Sequence, residues 1–215
     1  HPRGTKLIYQ YMQGEYAEPA DFRQLTYVSQ VQQALGLKIA FEAHRAAMPF
    51  CMGTLYWQLN DTWPAASWSG IDYYGQYKAL HYQAARSYRP QSLVFKQQDD
   101  QLQLLLVSDS LQALQARLEL RLLDFSGVVL QQSEHILQVS PNRVSTVWQQ
   151  AWRNLVNGIE PGRTVLVARL LPLQGAAPLA EQLFYFCPPL QQQLAAGDGT
   201  DPAQQLQLQL RPDGV

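Results

Sequence analysis

The stretch Leu114 to Leu122, LQARLELRL, constrains this chain more than any other. Leu114, Ala116, Leu118, Leu120 and Leu122 alternate with Gln115, Arg117, Glu119 and Arg121. Side chains of a strand point to opposite faces in turn, so the stretch predicts an antiparallel strand with one dry and one wet face. Such a strand must find partners for its backbone groups, and the sequence offers them: 93–96, 101–107, 128–139, 143–148, 163–171 and 182–187 are further short apolar runs. Ser126-Gly127, Pro141-Asn142 and Pro161-Gly162 supply turns between them. About seven short strands with this punctuation predict an immunoglobulin-like antiparallel β-sandwich over residues 91–188.

Residues 1–90 read differently. They are rich in Trp and Tyr, where the remainder is rich in Leu, Val and Gln. Asp21 with Gln24 forms an N-capping pattern, and Phe22, Leu25, Val28, Val31 and Leu35 follow at spacings of three and four, which predicts an amphipathic helix to about Met48. A strand is expected next, at about 53–60, with Leu55, Trp57 and Leu59 on one face and Thr54, Tyr56 and Gln58 on the other. Tyr77, Leu80, Ala84 and Tyr88 mark a second helix, at about 76–88, which Pro90 halts. One strand between two helices lacks ladder partners, so this half is incomplete as a domain. At the other end, 189–215 reads as a polar linker followed by LQLQL at 206–210, the first strand of a further, truncated domain.

Composition narrows the function. A formal net charge of −1 and the lack of any Lys/Arg block argue against nucleic acid and acidic membrane as partners. No window approaches the length of an apolar membrane span. Cys51 and Cys187 stand far apart, without metal-ligand spacing, and read as buried thiols; no metal and no cofactor is expected. HPRGTKLIYQ at the N-terminus lacks an initiating Met and the apolar core of a signal peptide, so the expectation is a piece of something longer, of undetermined compartment.

The chemistry concentrates in GTLYWQLNDTWPAASW, residues 53–68. If 53–61 is a parallel barrel strand with its following loop, Trp57, Asn60, Asp61 and Trp63 sit at or beyond its C-terminal end, where such barrels keep their active sites. An indole offers a flat apolar face to the C–H face of a pyranose, and Asn and Asp offer directed hydrogen bonds to hydroxyls. On residue type alone, tryptophans that fill a core and an Asn-Asp pair that makes a turn are the commoner arrangement.

The stretch GTLYWQLNDTWPAASWSGIDYYGQYKALHYQAARSYRP, with YWQLND, WP, SW, IDYYG and KALHY in order, resembles the end of the catalytic barrel in β-mannosidases of glycoside hydrolase family 2. HPRG at 1–4 and the segment 21–30 resemble that family's preceding loop and helix, and LFYFCPP resembles the last strand of the sandwich that follows the barrel. The resemblance implies an α/β plus all-β chain: the last helix-strand-helix of a (β/α)8 TIM barrel in 1–90, with 53–60 as its eighth strand, and then the immunoglobulin-like sandwich. It implies retaining hydrolysis of terminal, non-reducing β-linked mannose, a β-mannoside oligosaccharide as substrate, and the rest of a parent chain as partner. Retaining chemistry takes two carboxylates about 5 Å apart. The family's two glutamates belong to its fourth and seventh strands, expected upstream of His1, so no catalytic residue is assigned here and the chain alone is expected to be inactive. Trp57 is expected under the mannose ring, and Asn60, Asp61 and Trp63 at hydroxyl contacts and pocket walls. Related barrels carry a non-proline cis peptide after this tryptophan.

Glu15, Glu18 and Glu42 are expected to be solvated surface charges. His81 reads as a helix-surface or packing residue, His44 and His135 show no telling partner, and Trp148 and Trp152 are expected inside the sandwich. Two rivals stay open: another family 2 exo-glycosidase of exo-glucosaminidase or β-galactosidase type, and a noncatalytic sandwich that binds sugar or protein.

Overall fold

The computed structural model describes residues 3–175 and 177–194. The expected strand at 206–210 and most of the expected linker lie outside the described residues, as do His1 and Pro2.

Seven antiparallel strands form the sandwich: β1 (Gln91–Gln98), β2 (Gln101–Ser108), β3 (Leu114–Asp124), β4 (Val129–Val139), β5 (Arg143–Ala151), β6 (Thr164–Pro172) and β7 (Ala180–Tyr185). They divide into a three-stranded sheet, β1-β2-β5, and a four-stranded sheet, β4-β3-β6-β7. The alternation that opened the sequence sets the register of the larger sheet. Ala116, Leu118, Leu120 and Leu122 point inward, against Leu166, Ala168 and Leu170 of β6 and against Leu93, Leu102, Leu104 and Leu106 of the facing sheet. Each such leucine contributes about 1.5–3 kcal/mol by leaving water. Trp148 and Trp152 pack against this core, where Trp152 meets Phe184 and Phe186 edge-on or tilted.

The turns are built by the residues that predict them. Asp124 accepts hydrogen bonds from the backbone of Ser126 and Val128 at 2.9 Å and from the Ser126 hydroxyl at 2.6 Å, while Gly127 takes φ +91°. The Ser126 hydroxyl and the Val128 N–H hold the Asp124 carboxyl below the usual carboxylate range. Asn142 supplies the positive φ of the β4–β5 turn.

The N-terminal half holds α1 (Gly4–Met12), α2 (Phe22–Ala46) and α3 (Ala79–Ser87). Asp21 caps α2 as its sequence predicts, accepting from the Gln24 N–H at 2.7 Å, and the Gln24 side chain accepts from the Ala20 N–H in return. The packed face of α2 differs from the expected one. Leu37 and Phe41 pack with Leu80 and Ala84 of α3, and Ala34 is buried, whereas Phe22 and Leu35 are exposed. A 25-residue helix turns through several faces, and the one that meets α3 runs through Leu37 and Phe41 rather than through Phe22 and Leu35.

The strand expected at 53–60 does not form. Its period of two survives, with Thr54, Tyr56 and Gln58 half-buried and Leu55, Trp57 and Leu59 exposed, but only Asn60 makes a bridge, in parallel with Ile71. No strand among the described residues lies beside 53–59 to complete a ladder. Two further expectations need correction. Cys51 and Cys187 are half-buried rather than buried. Glu42 is not a solvated charge: it pairs with Lys38 at 3.1 Å and accepts a 2.6 Å hydrogen bond from Gln182 of β7.

The halves meet along the end of α2. Ala46 and Met48 pack on Val94, Leu105 and Val107, so β2 is dry on both faces. Arg45 joins the Ser87 carbonyl, the Arg89 carbonyl at 2.8 Å and Asp109 at 2.5 Å, tying α2 to the exit of α3 and the end of β2. No helix among the described residues is long and apolar enough to cross a membrane.

Candidate carbohydrate site

The site grows from a packed pair. Tyr56 meets Phe41 of α2 edge-on, with ring centroids 5.9 Å apart, and its hydroxyl passes over Gly70, where an added Cβ would lie 3.0 Å away. Burying Tyr56 turns its neighbour Trp57 outward, because consecutive side chains of an extended segment face opposite ways. Trp57 is 74% exposed, and its peptide bond to Gln58 is cis.

The following loop is held from beneath. Gly70 N–H donates to the carbonyls of Gln58 and Leu59 at 3.0 and 3.1 Å, Ile71 N–H to the Leu59 carbonyl at 2.8 Å, and Asp61 N–H to the Ile71 carbonyl at 3.0 Å. Asp61 is only 7% exposed. One carboxylate oxygen accepts from the Ser67 hydroxyl, and the other receives the Lys78 ammonium at 2.9 Å. Lys78 also donates to Ser69 at 2.7 Å, and the Ser69 hydroxyl donates to the Ile71 carbonyl at 2.9 Å. Burial alone would raise the Asp61 pKa; hydrogen bonds from Ser67, Lys78 and Ser69, with the Lys78 charge, outweigh it and hold the carboxyl below its ordinary range. Asp61 is thus ionised near neutrality and does not act as a general acid.

The four expected site residues therefore divide. Trp57 and Trp63, the latter 69% exposed, present open indole faces. Asn60 is exposed, and its amide donates at 3.3 Å to the carbonyl of Asp61. The Asp61 carboxylate faces inward and positions the loop. Lys78, Ser67 and Ser69 were not singled out from the sequence, although one signal was present. Lys78 is the N-cap of α3, and a cation at the positive end of a helix dipole is unfavourable unless an anion meets it.

The histidines stay outside this network. His81 stacks on Tyr77 at 4.1 Å, His44 shares a 3.0 Å hydrogen bond with Thr54, and His135 lies exposed on β4. Among the described residues, no group of three or more His, Cys, Asp or Glu is placed to hold a metal ion.

The chain thus joins a two-sheet antiparallel sandwich to an aromatic-rich helical segment. Residues 100–189 match the family described as Mannosidase Ig/CBM-like domain. The β-mannosidase of Capra hircus is 38% identical over 120 residues, which is 53% of this chain and 14% of that protein's length. The crystal structure of a β-D-mannosidase from Dictyoglomus thermophilum superposes on 89% of this chain and 23% of that one, with TM-score 0.81 and 24% identity. An exo-chitosanase from Amycolatopsis orientalis covers 84% and 21%, with TM-score 0.65 and 17% identity. These last two likenesses show the fold. The sequence matches make the chain similar, over about half of its length, to β-mannosidases, of which it spans about a seventh.

Proposed function

We propose that the chain is the C-terminal part of a retaining exo-β-mannosidase, and that it supplies one wall of the pocket for a terminal, non-reducing β-D-mannose. In this reading 1–90 closes a (β/α)8 barrel, 53–60 becomes its eighth strand when the neighbouring strands are present, and 91–188 is the sandwich that braces it. The carrying observation is the exposed indole of Trp57, presented by a segment whose opposite face is packed on Phe41 and whose loop is pinned through Asp61. Trp57 stacks on the C–H face of the sugar, Asn60 and Trp63 complete the wall, and Asp61 acts through the loop it holds. Both catalytic glutamates belong to other strands of the barrel, so this chain by itself hydrolyses nothing.

The test is hydrolysis of 4-nitrophenyl β-mannoside by the full-length protein that carries this sequence, beside the matching galactoside and glucosaminide. Preference for the mannoside, with Trp57→Ala lowering kcat/KM about tenfold to a hundredfold, is the expected result. The likeness to an exo-chitosanase makes the exo-glucosaminidase the second reading; faster release from the glucosaminide would select it. A saccharide platform at Trp148 and Trp152 finds no support, since both pack against the sandwich core.

A further inference from the structure

Three residues before Trp57, the chain is gripped at Thr54. The Thr54 carbonyl accepts from the Tyr88 hydroxyl at 3.1 Å, and the Thr54 hydroxyl shares a 3.0 Å hydrogen bond with Nδ1 of His44. Segment 53–59 makes no ladder among the described residues, so its place depends on side chains that reach it from the helices. Of the two that grip Thr54, Tyr88 leads on to the sandwich.

Tyr88 follows the last residue of α3 and lies between two carbonyls held by a single side chain. Arg45 of α2 donates to the carbonyls of Ser87 and, at 2.8 Å, of Arg89, and it meets the carboxylate of Asp109, just past β2, at 2.5 Å. The Arg45 side chain is well shielded from solvent, so these partners are not readily exchanged for water. Asp109 N–H donates to the Pro90 carbonyl at 2.8 Å, which fastens the same stretch of chain a second time. The Tyr88 ring lies tilted on Phe41 with centroids 5.1 Å apart, and Phe41 in turn packs on Tyr56, the residue before Trp57. Ring, hydroxyl and flanking backbone of Tyr88 are thus each fixed.

We propose that Tyr88 is a positioning residue for the Trp57 platform, and that Asp109 of the sandwich acts on the same platform through Arg45 and Tyr88. The inference rests on the exo-β-mannosidase reading and adds to it the side chains that place the wall. An extended segment gripped at residue 54 and packed again at residue 56 leaves residue 57 little freedom. Releasing the first grip lets the segment pivot about Tyr56, and a displacement of about 1 Å is enough to spoil the fit of an indole to a sugar face.

The experiment has two readouts. In the 215-residue chain, the indole N–H signals of the five tryptophans are followed by NMR, with Trp57→Ala assigning the one of interest. Tyr88→Phe keeps the ring and removes only the hydroxyl. It is expected to move the Trp57 signal, Asp109→Ala to move it in the same direction, and Asp109→Ala to add nothing once Tyr88 is phenylalanine, while the Trp148 and Trp152 signals stay in place and report an intact sandwich. In the full-length protein that carries this sequence, Tyr88→Phe is expected to lower kcat/KM for 4-nitrophenyl β-mannoside about threefold to tenfold, the worth of one hydrogen bond, and to have no further effect in the Trp57→Ala background. General loosening of the fold would produce the same loss in both backgrounds. A Trp57 signal that ignores Tyr88→Phe or Asp109→Ala, or a loss of activity undiminished by Trp57→Ala, overturns the proposal. If Trp57→Ala leaves kcat/KM unchanged while Tyr88→Phe moves the indole signal, the sugar-wall reading fails and the positioning of Trp57 by Tyr88 stands.

Discussion

The ammonium of Lys78, at the first turn of α3, lies 2.9 Å from a carboxylate oxygen of Asp61, seventeen positions earlier in the chain, and both side chains are shielded from solvent. The pair joins the loop after Trp57 to the helix that packs on α2. Its contribution follows from what is left when one member is removed. A buried charge without its partner costs about 3–5 kcal/mol. Asp61→Ala is expected to lower the unfolding free energy by about 3 kcal/mol in urea titration, and Asp61→Ala with Lys78→Met by less than the sum of the two single changes. Strict additivity would show that the two groups do not interact.

The same carboxylate gives the acid limb of stability its shape. Its folded pKa is below the unfolded value of about 3.9, so its contribution is complete above about pH 4 and is lost as pH falls through the folded pKa. Asp124, lowered in the same direction, adds to the same limb. Urea midpoints measured from pH 7 down to pH 2 should fall less steeply below pH 4 for Asp61→Asn than for the parent. Superimposable slopes would refute the assignment.

Gly70 is a packing requirement with a defined partner. An alanine methyl there meets the Tyr56 hydroxyl at 3.0 Å, tighter than ordinary contact. Overpacking of this kind costs about 1–3 kcal/mol. Gly70→Ala should destabilise by about that amount in the parent, and by clearly less in a Tyr56→Phe background, where the contacting oxygen is gone.

Trp57 should separate stability from binding. Because it is largely exposed, Trp57→Ala is expected to shift the unfolding free energy by no more than about 0.5 kcal/mol. Leu104→Ala, inside the sandwich and fully buried, should cost about 2–5 kcal/mol. A large loss at Trp57 would mean that its ring is part of the packing.

What the sequence disclosed tracks how local the cause is. All seven sandwich strands are legible because period-two alternation and turn residues act over a few positions, as in Leu114–Leu122 and Asp124–Gly127. The Asp21–Gln24 cap is local in the same sense. The pairing of 53–60 was not legible, because a strand exists only with neighbours. Nor was the packed face of α2, which depends on where α3 lies. At the site, the aromatic positions Trp57 and Trp63 could be named from residue type, but the direction of the Asp61 carboxylate depends on Lys78, Ser67 and Ser69, whose convergence no periodicity announces. The unfavourable position of Lys78 at a helix start was the one readable clue.

Gln182 draws its bonds from both sides of a seam, to Glu42 on α2 and to the Leu93 carbonyl on β1, while Leu105 and Val107 of β2 lie under Met48. Such a joint has no axis to turn about. The C-terminal sheets are therefore no tethered appendage but a clamp on the helix that backs Tyr56, so that wear in the clamp would be felt at the very next residue, as misalignment of the exposed Trp57 indole.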